Sequence, residues 1–168
     1  MADDRELLSR VAAHDEAAFR RLYERYADRV FRYALTLLRN RHLAEEVVQE
    51  TMVAVWQGAG SFKGGSRVST WIFGIARNQA HALLRREERG AREAEEPLVL
   101  PDPAEGVHHW DRVLAALEGL PPEQREVVVL AFYEGLSYRE IGRLLGVPEG
   151  TVKSRMHFAK RRLREALA

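Results

Sequence analysis

Between Thr151 and Leu167 the chain sorts its side chains into two kinds at helical spacing. Val152, Met156, Ala159, Leu163 and Leu167 recur at three- and four-residue steps, which places them on one face that must be buried. Gly150, Ser154, His157, Phe158 and Arg161 fall on the opposite face, with Thr151 and Arg155 on one flank and Lys153 on the other. The chemistry this face offers is recognition rather than bond making. Hydroxyl and imidazole groups reach base edges in a major groove, Arg and Lys neutralise phosphates, and the N–H groups of a helix start bind a phosphate. An outward Phe158 is costly unless it touches a partner such as a thymine methyl.

A reading face works only when other elements hold it. The run LSYREIGRLLGVPEGTVKSRM supplies them. Ser137 and Glu140 form an S-x-x-E capping box at a helix start. Ile141, Leu144 and Leu145 make the inner face of that short helix. Gly146 permits the left-handed turn that ends it, and Pro148 suits the opening turn of the next helix. A basic amphipathic helix alone reads more readily as a solvated face. The capping box, the glycine turn and the two-faced second helix together read as a helix-turn-helix. Upstream, in LPPEQREVVVLAFYEGLSY, Pro122 opens a supporting helix whose Val127, Val128, Leu130 and Ala131 face inward. Phe132 and Tyr133 are expected in the core rather than at a site.

The remainder of the 168 residues is helical in pattern too, and no strand-like alternation or internal repeat occurs. Leu7, Leu8, Val11, Phe19, Leu22 and Tyr23 sit at helical spacing in an opening segment, and Val30, Phe31, Ala34, Leu37 and Leu38 suggest a second helix. A third runs from His42 to about Gln57. GAGSFKGGSRVS then reads as a loop, and a fourth helix follows from Thr70 to about Glu88. Residues 90–106 contain Pro97, Pro101 and Pro103 among five acids. Such a stretch is expected to bury little and to act as a flexible linker that fixes no separation between its flanks. The expected fold is therefore all-α, with small helical domains at 1–89 and 107–168 joined by an acidic linker at 90–106.

Composition narrows the function. Apolar residues make up 46% and charged residues 30% of the chain, as in soluble globular proteins, while the net charge is only +1. Any affinity for DNA must come from local basic faces. No cysteine is present, so disulfides, thiolate metal sites and thiol chemistry are excluded. The six histidines are scattered, and His108 and His109 are adjacent, too close for the usual spaced metal pair. No phosphate-cradling glycine loop or nucleophile elbow appears. The expectation is a protein that is not an enzyme, with no cofactor, no metal and no small-molecule substrate. The N-terminus carries no signal pattern and no apolar run could span a bilayer, so a cytoplasmic location is expected.

The segment LPPEQREVVVLAFYEGLSYREIGRLLGVPEGTVKSRMHFAKRRLREAL resembles region four of the extracytoplasmic-function (group IV) RNA polymerase sigma factors. AEEVVQETMVAVWQ is similar to the region-two helix of that family, and FKGGSRVSTWIFGIARNQAHALLRR to its promoter −10 segment. The three stretches occur in the family's order, with the linker in its place. A free-standing helix-turn-helix regulator is the alternative. Such regulators usually carry a β/α sensing half, whereas the N-terminal half here is helical.

The resemblance implies a factor that binds core polymerase and directs promoter-specific initiation. It implies that Glu45, Glu46, Gln49 and Glu50, with Val53 and Trp56 at the edge, dock on the β′ coiled coil, where acids suit a basic partner. It implies −10 recognition by the loop residues Lys63, Gly64, Gly65, Ser66 and Arg67, capturing a flipped base. The following helix would add Arg77, Asn78, His81, Arg85 and Arg86, with Ile72, Ile75 and Leu83 as core. Trp71 reads either as a buried anchor or as a DNA wedge. The −35 readers match Lys153, Ser154, His157 and Phe158, with Arg155 and Arg161 nearby and Thr151 and Tyr138 as phosphate contacts. The β flap of polymerase and an anti-sigma factor are the other partners implied.

Overall fold

The computed structural model describes residues 2–88, 95–103 and 109–168. Every regular element among them is helical. Helices α1 (Asp4–Ala12), α2 (Glu16–Leu38), α3 (Arg41–Gly58) and α4 (Val68–Glu88) form an N-terminal bundle. Helices α5 (Trp110–Glu118), α6 (Pro122–Phe132), α7 (Tyr138–Leu145) and α8 (Glu149–Leu167) form the C-terminal one.

Local chemistry sets most of the boundaries. Asp3 caps α1 by accepting from the Glu6 amide at 2.8 Å. Asp15 caps α2 through the amides of Ala17 and Ala18, and Asn40 caps α3 through that of Leu43. The apolar spacing does not reveal the break between α1 and α2. His14 takes a left-handed φ of 64° there and Asp15 restarts the helix. The opening segment is consequently two helices, and its second part is continuous with the expected Val30–Leu38 helix as one 23-residue α2.

Trp71 packs against Phe62 with ring centroids 5.5 Å apart and planes inclined by 56°, which gives it an anchoring contact. Phe132, expected in the core, is 66% exposed, because α6 buries Val127, Val129 and Leu130 on its other side. Leu167, in the last turn of α8, is also exposed.

The linker departs from expectation in one respect. Residues 95–103 form no helix, but Leu98 and Leu100 are buried with Leu117, Leu120, Val129 and Ala159. Arg39 and Glu96 exchange main-chain and side-chain hydrogen bonds, each at 2.8 Å. Trp110 Nε1 donates to the Leu100 carbonyl and the Tyr133 hydroxyl to that of Pro101. This segment is thus a strap pinned to both bundles. The bundles also share apolar packing, since Val127, Leu130, Leu136, Ile141, Val152 and Met156 join the core of α1–α4.

Candidate nucleic-acid interface

The helix-turn-helix is built from α7 and α8. The Ser137 hydroxyl accepts from the Glu140 amide at 3.1 Å, and Glu140 Oε1 accepts from the Ser137 amide at 3.0 Å, so both halves of the capping box form. Gly146 has φ 71°, the left-handed turn inferred from sequence. Gly142 matters equally and for another reason. A Cβ there would lie 2.8 Å from the Val147 carbonyl oxygen, so only glycine lets the turn close onto α7.

On α8, Val152, Met156 and Ala159 are buried, while Lys153, Ser154, His157, Phe158 and Arg161 are exposed. Thr151, Arg155 and Tyr138 are half-buried on the flanks. His157 and Phe158 lie edge to face at 5.4 Å, so they present one surface rather than two independent side chains. Among the described residues Lys153 and Arg161 make only long contacts to Glu149 and Glu165, 3.8 and 3.4 Å, in exposed pairs one turn apart. Such pairs hold a side chain weakly, leaving both cations available. Among the described residues no side chain caps the start of α8; the Thr151 and Val152 amides bond the Pro148 carbonyl, which leaves those of the first turn before them for an anion.

The N-terminal bundle divides its basic residues. Lys63, Asn78, Arg85 and Arg86 are exposed on the loop and on α4. Arg67 and Arg77 are engaged with the other bundle. Arg67 Nε donates to Glu140 Oε2 at 2.6 Å, and the Thr70 hydroxyl donates to the same oxygen at 3.0 Å. Burial would raise the Glu140 pKa. The Ser137 amide, Arg67, Thr70 and the Ser137 hydroxyl outweigh it and hold the group at about 2. Arg77 Nε donates to Glu126 Oε1 at 2.8 Å, and the buried Tyr33 hydroxyl donates to that oxygen at 2.9 Å. Burial, then the Glu126 charge, pushes the Tyr33 phenol well up. His81 Nε2 is buried with no hydrogen-bond partner among the described residues. Burial first, then the charge of Arg77, pushes its pKa down, which disfavours the cationic form at this position.

A third carboxylate completes this contact. Glu134, whose side chain is 0% exposed, accepts from Arg29 at 2.7 Å and from Arg32 at 2.7 and 3.2 Å. Three carboxylates from α6, α7 and the turn between them therefore meet four arginines from the first bundle. Sequence reasoning did not single out Glu126, Glu134, Arg29, Arg32 or Tyr33. Charged helix residues read as solvated, and no local signal marks a partner some hundred residues away. Gly142 did carry a signal, as an unexplained glycine inside a short helix.

On α3, Glu45, Gln49, Glu50 and Val53 are exposed. Glu46 pairs with Arg86 at 3.1 Å. Trp56 packs edge to face on Phe19 at 5.2 Å. Phe19, Tyr23, Met52, Val53 and Trp56 line a groove of about 850 Å³ between α2 and α3, rimmed by Glu16, Arg20 and Gln49.

Two family matches cover most of the chain: Sigma-70 region 2 over residues 22–90 and Sigma-70, region 4 over residues 110–163. The ECF RNA polymerase sigma factor SigK of Mycobacterium bovis is 36% identical, over 96% of this chain and 91% of its own length. This chain belongs to the ECF RNA polymerase sigma factors. SigE of Mycolicibacterium smegmatis, also an ECF sigma factor, is 39% identical over 94% of this chain, which spans 65% of that relative's length. Among solved structures, the sigma factor RpoE of Bartonella quintana, crystallised with the anti-sigma factor NepR, superposes with a TM-score of 0.75. It is 28% identical, and the match covers 89% of this sigma factor and 96% of that chain.

Proposed function

We propose that this sigma factor binds core RNA polymerase and directs promoter-specific initiation, reading the −35 element with α8 and the −10 element with the loop at 61–67 and α4. It performs no bond chemistry of its own and works where polymerase works, in the cytoplasm. The observation that carries this reading is the two-faced α8, with Ser154, His157 and Phe158 exposed over a buried Val152–Met156–Ala159 seam and held by a complete capping box. Lys153 and Arg161 are the accompanying phosphate contacts, with Arg155, Thr151 and Tyr138 on the flanks. Lys63, Gly64, Gly65, Ser66 and Arg67 are assigned to the captured −10 base, with Trp71 anchoring the loop and Asn78, Arg85 and Arg86 along the strand. Arg67 and Arg77 act there only once the second bundle, with Glu140 and Glu126, has moved away, and His81 lies one turn beyond Arg77 on α4.

The acidic face of α3 and the apolar groove beside it are assigned to the β′ coiled coil, and the second bundle to the β flap. An anti-sigma factor is the remaining partner, as NepR is for the Bartonella quintana protein. Among the described residues no helix is long and apolar enough to cross a membrane.

The deciding experiment is run-off transcription with purified core polymerase on genomic fragments. Discrete transcripts that depend on this protein are expected. Reversing charge with Glu46→Lys and Glu50→Lys should weaken the complex with core enzyme while the fold survives. Transcription identical with and without the protein, on every fragment, would overturn the proposal.

A further inference from the structure

The loop at 61–67 contains adjacent glycines, Gly64 and Gly65, and Gly64 sits at φ +79°. Glycine pairs give a loop many conformations, and a loop that selects one base must hold a single shape. The structure shows two holds on it. One comes from the second bundle, where Arg143 donates to the Gly65 carbonyl at 3.4 Å and Glu140 binds Arg67. That hold is lost whenever the bundles separate.

The other comes from α1, inside the same bundle. Arg5 Nη2 donates to the carbonyls of Gly64 at 3.2 Å and Ser66 at 3.5 Å. Peptide planarity then has a consequence. With those two carbonyls turned toward Arg5, the following amides, of Gly65 and Arg67, are turned to the opposite side. Two donors are thereby presented together. On the Arg5 side of the loop lies a cavity of about 370 Å³, walled by Phe62, Lys63 and Gly64 of the loop and by Arg5, Leu8, Ser9 and Ala12 of α1. The region 2 match begins at residue 22, so α1 lies outside it.

We propose that Arg5 is a positioning residue for −10 recognition. Its guanidinium fixes the loop so that the amides of Gly65 and Arg67 meet acceptor atoms of the captured strand, and this hold persists when the second bundle is drawn away. The inference rests on the assignment of the loop to the −10 element.

The test uses holoenzyme assembled with wild-type protein, Arg5→Ala, Arg5→Lys and, as a loop reference, Lys63→Ala. Each is assayed for open-complex formation on a promoter panel varied base by base in both elements. Arg5→Ala is expected to slow opening about fivefold, the loss of exposed, long charge-assisted hydrogen bonds, and to flatten discrimination at the −10 element only. Arg5→Lys keeps the charge without the fork and is expected between the two. Melting temperature should match wild type. If Lys63→Ala alters −10 discrimination while both Arg5 variants keep it, the role of Arg5 is refuted and the loop assignment stands. If none of the three alters it, the loop assignment falls and the inference with it. If Arg5→Ala proves unfolded, Arg5→Lys decides, since wild-type −10 discrimination in that variant refutes the fork geometry.

Discussion

Replacing Glu134 by glutamine removes a charge from the contact between the bundles while keeping side-chain size. The carboxylate has no exposed surface and accepts three side-chain hydrogen bonds from Arg29 and Arg32. Breaking a fully buried ion pair by removing one partner costs about 3–5 kcal/mol. Here Arg29 and Arg32 are 32% and 20% exposed, so water recovers part of that loss, and the amide oxygen retains one acceptor. About 2 kcal/mol remains, roughly thirtyfold at about 1.4 kcal/mol per decade. The loss falls between α2 and the turn that follows α6, so it weakens the closed arrangement more than either bundle. Because the chain has no cysteine, Gln57→Cys and Lys160→Cys give clean dye sites on exposed positions of opposite bundles. Under urea, energy transfer in the Glu134→Gln protein should be lost at lower concentration than in wild type, ahead of helix loss by circular dichroism. Transfer lost at the same urea concentration in both proteins would refute the view that these ion pairs hold the bundles together.

Gly142→Ala should cost about 1–3 kcal/mol in thermal melts, since its Cβ would meet the Val147 carbonyl at 2.8 Å, whereas Gly150→Ala has open space and should be neutral or slightly stabilising. Glu140 titrates at about 2 against an ordinary value of 4.5. A depressed carboxylate stabilises the fold fully above its unfolded pKa, and that contribution drains as pH falls from about 4.5 to about 2. Urea midpoints should therefore decline over that window in wild type and decline less in Glu140→Gln. Ser154→Ala and His157→Ala should each shift −35 preference by about 1–3 kcal/mol, while Arg161→Ala weakens all sequences evenly, as measured by holoenzyme binding to a panel of −35 variants. The free protein should bind duplex promoter poorly in gel-shift titrations, since Arg67 and Arg77 are occupied by Glu140 and Glu126. Tight sequence-specific binding without core enzyme would contradict that occlusion.

What could be read from the sequence was local. The capping box at Ser137–Glu140, the turn at Gly146 and the two faces of α8 obey rules that operate within four residues, and the structure reproduces each. The α1–α2 break was hidden because apolar spacing continues across it and the left-handed residue is His14, not glycine. Leu98 and Leu100 looked solvated among prolines and acids. They are buried because an extended segment turns alternate side chains to one side, where α5 and α6 leave a groove. Of the candidate site residues, those on α8 were legible as a face. The sequestering of Arg67 and Arg77 was not, because it depends on carboxylates distant in the chain whose helices reveal nothing of their neighbours.

Glu140 answers to two masters: as the third residue of α7 it closes the capping box, and from the same carboxylate it binds Arg67 and Thr70. Selection can therefore not treat its two ends alike. Losing Arg67 forfeits one contact and leaves the helix start intact, whereas losing Glu140 unmakes both at once. Divergence among descendants of this gene should run one way, with glutamate kept at 140 in lineages where position 67 has drifted, and a changed 140 accompanied by a new cap for α7.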